Sequence, residues 1–163
     1  MSHKAELEQK LQPYGLRLRG VFSLDSSELS DLFPALSAPL DQANGLQLAL
    51  VGNIGSSFWS VFSQSEEFLD GARNPLDRWS KRVAHKLADE LNASAVFPFD
   101  GPPYYPFQQW AKRAEALTQS PLGLLIHPEY GLWHAYRFGL LIATTEEDLL
   151  PAIASPCLSC DDQ

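Results

Sequence analysis

Alternating helix-like and strand-like segments predict an α/β (α+β) domain, a mixed and largely antiparallel sheet flanked by helices. Three observations lead there. The apolar runs 46–51 and 122–126 read as buried strands. Two stretches that open on Asn74-Pro75 and on Pro106 repeat apolar residues at helical spacing. A chain of 163 residues, 45% hydrophobic and 20% charged, can bury one substantial core but falls short of two ordinary domains. The domain is expected over 1–150, with 151–163 as a tail.

Leu7 and Leu11 mark a short first helix that ends at Pro13-Tyr14-Gly15. Residues 17–22 alternate and predict a strand; Ser26 opens a short helix broken by Pro34. Gly45 precedes the strand 46–51, which runs into Gly52-Asn53-Ile54-Gly55-Ser56-Ser57 and an aromatic helical stretch with Phe58, Trp59 and Phe62. Such a turn can present free backbone N–H groups to an anion. It lacks the P-loop lysine and the dinucleotide fingerprint, so a plain strand-to-helix turn is the stronger reading.

Residues 63–73 are polar and read as a surface loop or frayed helix. Asn74 as cap, Pro75 at the first position and Asp77 in the first turn then start a long helix. Leu76, Trp79, Val83, Leu87 and Leu91 share its inner face and His85 lies off it. After a short strand at 94–97, the segment 98–106 is too proline-rich for helix or central strand and predicts a rigid aromatic loop. The next helix starts at Pro106 with Phe107, Trp110, Ala114 and Leu117 inward. Strands 122–126 and 133–144 close the fold as an antiparallel pair joined by the loop 127–132. An acidic stretch, Glu146, Glu147 and Asp148, leads into the tail.

A net charge of −8 and a pI near 4.8 oppose nucleic-acid binding. The basic spots Arg17 and Arg19, Arg78 with Lys81 and Arg82, and Lys112 with Arg113 read as solvated faces. No apolar run approaches membrane-span length, and the charged N-terminus carries no signal-peptide pattern, so a cytoplasmic location without membrane contact is expected.

No nucleophile elbow occurs, and the four histidines (His3, His85, His127, His134) lack metal-site spacing, so no catalytic residue is assigned. Cys157 and Cys160 form one C-x-x-C, which could be a redox pair, half a zinc site or the opening of an iron–sulfur motif. Two thiolates do not complete a tetrahedral site, and the sequence ends three residues later. His127, set between an apolar run and Pro128, is either a turn-capping histidine or a ligand-site residue. Arg137, in an apolar strand, either snorkels to an edge or binds an anionic group in a pocket. Trp133 and Tyr136 either pack as core or line a planar cofactor.

The pattern H-P-x-x-G-x-W-x-A-x-R, carried by His127, Pro128, Gly131, Trp133, Ala135 and Arg137, lies within the segment 120–137. That segment resembles a bacterial group of ferredoxin-like proteins related to epoxyqueuosine reductase and, more remotely, to the cytosolic cobalamin-processing decyanase of animals. The closer group is also similar at Phe97-Pro98-Phe99-x-Gly101-Pro102-Pro103-Tyr104 and at Asn74-Pro75-Leu76-Asp77-Arg78-Trp79-Ser80.

The resemblance implies a nitroreductase-related fold that binds a corrin, with cobalamin as cofactor, in a redox domain fed by a downstream iron–sulfur cluster. It implies a pocket built from His127, Pro128, Tyr130, Gly131, Trp133 and Arg137 together with Phe99, Gly101, Pro102 and Tyr104. Cys157 and Cys160 would open the cluster motif, which the sequence does not complete before Gln163; a longer, iron–sulfur-containing chain is therefore expected. Docking of tRNA, as the reductase requires, fits the acidic surface poorly. Two alternatives stand beside this reading. One is a flavin whose phosphate sits on the 52–57 turn and Arg137. The other is a non-catalytic docking or electron-relay module using the 97–105 loop as its interface.

Overall fold

Strand β2 (Leu46–Ile54) is buried at every position but its last, as a largely apolar run in a sheet centre should be. The computed structural model describes residues 3–34, 45–115, 117 and 119–143. Within them β2 pairs with β1 (Arg17–Ser23) on one side and with β4 (His134–Ala143) on the other; β4 in turn pairs with β3 (Ser94–Val96). The order is β1-β2-β4-β3 and every pairing is antiparallel. The expected mixed sheet is thus, among the described residues, a wholly antiparallel one.

Helices cover both faces. Helix α1 (His3–Leu11) and the long α5 (Pro75–Leu91) bury Leu7, Leu11, Trp79, Val83 and Leu87 against Ala49, Val51, Phe138 and Leu140. On the opposite face α2 (Ser26–Leu32) and α6 (Phe107–Ala114) join Phe33, Phe107 and Trp110 to Leu48, Leu50 and Leu141. Helix α2 opens with a capping box, Asp25 accepting from the Glu28 amide while Glu28 accepts from the Asp25 amide. The polar stretch after β2 contains two short helices, α3 (Trp59–Phe62) and α4 (Glu66–Leu69), with Glu67 buried against α5. Asn74 sits at the start of α5 in the left-handed region (φ 53°) and makes no side-chain cap bond. Proline at the first position still sets the helical φ.

The segment 122–126 does not form the expected buried strand. Gly123 adopts φ +80°, the Gly123 amide donates to Ser120 O and the Ser120 amide donates to Leu124 O, closing a turn. Leu122 and Leu124 are 84% and 48% exposed. An apolar run reports hydrophobicity but not period, and Pro121 with Gly123 favours reversal over a ladder. Among the described residues the strand-like pairing here is limited to single bridges, Gln119 to Leu125 and His127 to Gly131.

Two β-bulges flank β2 at the same level. Arg19 is the extra residue between the pairs Leu18–Val51 and Gly20–Leu50. Arg137 is the extra residue between Val51–Phe138 and Gly52–Tyr136. Each bulge reverses which face the following side chains meet. Phe138, Leu140 and Ile142 therefore face α5, whereas Tyr136 packs on the α6 side. Gly20 lets α6 come close: a Cβ there would lie 2.5 Å from the Ala114 carbonyl oxygen.

Candidate functional site

That close approach carries Glu115, the residue ending α6, onto the bulged Arg19. The guanidinium grips the carboxylate with both prongs, Nε to Oε1 at 2.9 Å and Nη2 to Oε2 at 2.8 Å. Arg19 is only 3% exposed and Glu115 8%. Tyr136 donates its hydroxyl to the same Glu115 Oε2, and its ring lies under the guanidinium, 4.8 Å from Cζ. Arg19 also reaches the Asn53 carbonyl (3.4 Å) and His134 Nδ1 (3.1 Å).

Two imidazoles complete the cluster. His134 Nε2 faces the Leu125 carbonyl at 3.2 Å. A carbonyl only accepts and a guanidinium only donates, so Nε2 carries the proton and Nδ1 the lone pair. His127 Nδ1 accepts from the Glu129 and Tyr130 amides (3.1 and 3.3 Å), which places its proton on Nε2, 3.9 Å from Glu115 Oε1. Its ring stacks on Tyr130 at 4.5 Å. Burial holds both histidines below their usual pKa, with Arg19 acting in the same sense and Glu115 opposing. Burial, then the charge of Glu115, pushes the Tyr136 hydroxyl well above the usual phenol range.

On the other face, Arg137 begins a second chain. Its Nε donates to Asn53 Oδ1 (2.7 Å), Asn53 Nδ2 donates to Gly55 O (2.9 Å), and the Gly55 amide donates to Trp133 O (2.7 Å). The guanidinium lies over Phe58 at 5.2 Å, half-buried, and burial lowers its pKa. No acceptor among the described residues meets its Nη groups.

The structure corrects three expectations about these residues. Gly52 and Asn53 belong to β2 rather than to a turn. The Gly55, Ser57 and Trp59 amides donate to Trp133, Ile54 and Ser56, so the weaker anion-cradle reading has no free N–H at those three positions. Arg19, grouped with the solvated basic residues, is among the most buried polar side chains.

Of the sequence-derived candidates, His127, Pro128, Tyr130, Gly131 and Trp133 share one tight loop, and Arg137 is tied to its end through Asn53 and Gly55. Gly131, at φ +57° with open space around its missing Cβ, lets that loop reverse. Phe99, Gly101, Pro102 and Tyr104 lie on the loop that follows β3. Phe99 stacks near Phe97 under Lys81, and the Tyr104 ring covers Gly101, leaving Tyr104 80% exposed. A 370 Å³ hollow behind that loop is lined by His85, Val96, Phe97, Asp100, Pro102 and Tyr105 among others, and none of its lining residues comes from 127–137. Among the described residues no hydrogen bond, ion pair or ring contact joins Phe99–Tyr104 to the histidine loop. Cys157 and Cys160 fall outside the described residues, as do Glu146, Glu147 and Asp148.

Sequence reasoning missed Glu115, Asn53 and the role of Arg19. The available signal was the three-residue interval between Leu18 and Val21, where strict alternation requires two. No group of three or more His, Cys, Asp or Glu side chains among the described residues is placed to hold a metal ion. No protein-family model matches the chain, and no curated protein sequence matches it significantly.

Proposed function

We propose that this chain is a corrin-binding domain, with cobalamin as its ligand, from an iron–sulfur-linked reductase or a cobalamin-processing protein. The reading rests on the H-P-x-x-G-x-W-x-A-x-R segment and on one geometric observation. Trp133 is 78% exposed yet has both backbone groups bonded, its amide to Tyr130 O and its carbonyl to the Gly55 amide. A large aromatic side chain held at the surface on a fixed backbone is a preorganised contact for a flat, apolar ligand.

The donor set defines how a corrin could sit. Both ring nitrogens of His134 are engaged by protein groups; on His127 the Nδ1 lone pair is taken and Nε2 carries the proton, facing Glu115. Neither offers a lone pair to cobalt, so the residues fit a corrin held by its face and edges rather than by a histidine–cobalt bond. Trp133, Leu132 (60% exposed) and Leu124 would meet the ring, and the Arg137 Nη groups, which have no acceptor among the described residues, a polar or anionic substituent. His127 and Pro128 set the loop that presents them. Bound cobalamin would supply one-electron cobalt chemistry. The flavin alternative keeps Arg137 as a phosphate partner, while two amides of its 52–57 turn, Gly55 and Ser57, donate to Trp133 O and Ile54 O.

Titration of the full chain with aquocobalamin and with reduced cob(II)alamin, followed by visible spectroscopy, tests the proposal. Binding with a shifted spectrum is expected, and Trp133→Ala should weaken it about 10-fold or more, the range of a buried aromatic contact. No spectral change and no binding in either oxidation state overturns it.

A further inference from the structure

We propose that the 120–133 loop is an acid-operated latch: protonation of His127 and His134 releases it from the end of the sheet, independently of any ligand. Both histidines use their only lone pair to accept from groups that can never accept in return. For His134 Nδ1 the donor is the Arg19 guanidinium at 3.1 Å; for His127 Nδ1 the donors are the Glu129 and Tyr130 amides at 3.1 and 3.3 Å. A proton added at either nitrogen points at another N–H: at His127 it breaks the amide bonds that shape the loop, and at His134 it breaks the Arg19 bond that holds the ring against the loop.

Charged and titratable groups face the pair from every neighbouring element. From β1 comes Arg19, from the end of α6 Glu115, from β4 Tyr136, and from the loop itself Tyr130 and Glu129. Glu115 is the one buried anion among them, and the two prongs of Arg19 already balance it. The first extra proton therefore leaves an uncompensated buried positive charge, and the second doubles it. Glu129, exposed to solvent, compensates weakly. The direct losses are the two amide bonds that His127 Nδ1 accepts from Glu129 and Tyr130, and the Arg19 bond that orients His134. The His134 Nε2–Leu125 O bond, which favours the protonated ring, and the paired His127–Gly131 backbone bonds then hold the loop only as far as the two rings keep their places. No apolar side chain of 121–126 is buried to hold the loop once these bonds go.

The direction follows from linkage. Both histidines sit below their usual 6.5, so the released state binds more protons than the latched one. The latch is closed above that value and weakens as pH falls below it, by up to ~10-fold per pH unit for each proton taken up.

Hydrogen exchange of the full chain at pH 7.5 and 5.5, corrected for the intrinsic pH dependence of exchange, reads the latch directly. Protection at the Leu124, Tyr130, Gly131 and Trp133 amides is expected to fall at least ~10-fold at the lower pH while α5 is unchanged. His127→Asn keeps an acceptor for the 129 and 130 amides, and His134→Gln keeps a donor for Leu125 O, but neither titrates. The double variant should hold the loop protected at both pH values. Loop protection independent of pH in the parent chain overturns the proposal. So does parallel loss across α5, or a double variant that retains the parental response.

Discussion

At the level of single residues, the Arg19–Glu115 pair carries the largest local stake. Each ion is desolvated, and each is tolerated because the other is there. Glu115→Leu strands the guanidinium and should cost ~3–5 kcal/mol in urea denaturation. The double change Arg19→Met with Glu115→Leu should recover most of that loss, because it removes both charges together. Ser80 presents the opposite case. Its hydroxyl, fully buried on α5, has no hydrogen-bond partner among the described residues. Ser80→Ala removes an unsatisfied group and improves helix propensity, so it should stabilise the protein by ~1 kcal/mol, read as a raised Tm.

Elements are joined here by clamps as well as by apolar packing. Arg78 on α5 grips Asp70 with both Nη groups at 2.7 Å and also donates to Glu67 O, tying the end of α4 to the long helix. Arg78, helped by the Ala72 amide, holds the Asp70 carboxyl down at about 2 instead of 3.8. A depressed carboxylate stabilises the native state above its unfolded pKa, and that contribution fades as pH drops from 3.8 toward 2. Carboxyl NMR titration should find Asp70 at about 2, and Arg78→Met should move it part of the way back up, since the Ala72 amide remains.

The elements also show what could be read from sequence. Helix α5 was legible because Asn74-Pro75 marks its start and Trp79, Val83 and Leu87 recur on one face. The β2 run was legible because burial on both faces leaves it apolar from Leu48 to Val51, with Gln47 and Asn53 as its buried polar residues. Residues 122–126 shared that apolar signature but not the burial, since the turn at Gly123 is decided by backbone conformation. His127 stood out by its place before Pro128. Its surroundings did not, because Arg19 and Glu115 lie 96 residues apart and meet only through a bulge and a glycine contact.

For the molecule as a whole, the sheet is built from distant partners. Leu46 pairs with Ala143 and Leu48 with Leu141, so the central pairing closes only after most of the chain exists. Strand β2, bonded on both sides and covered on both faces, should hold the slowest-exchanging amides, at Leu48, Ala49 and Leu50. The capped but peripheral α2 should exchange much faster, and equal protection in the two would contradict a β2-centred core.

The outer strands bear on a different matter, the behaviour of many copies together. One boundary strand, β1, is kinked at Arg19 and carries exposed Arg17, while the other, β3, is three residues long and runs within two residues into Pro98. Neither margin offers the straight, uncharged template on which a neighbouring chain could add strands. The same irregularity that turns Arg19 inward therefore also limits edge-to-edge aggregation, so straightening β1 should cost solubility as well as the buried ion pair.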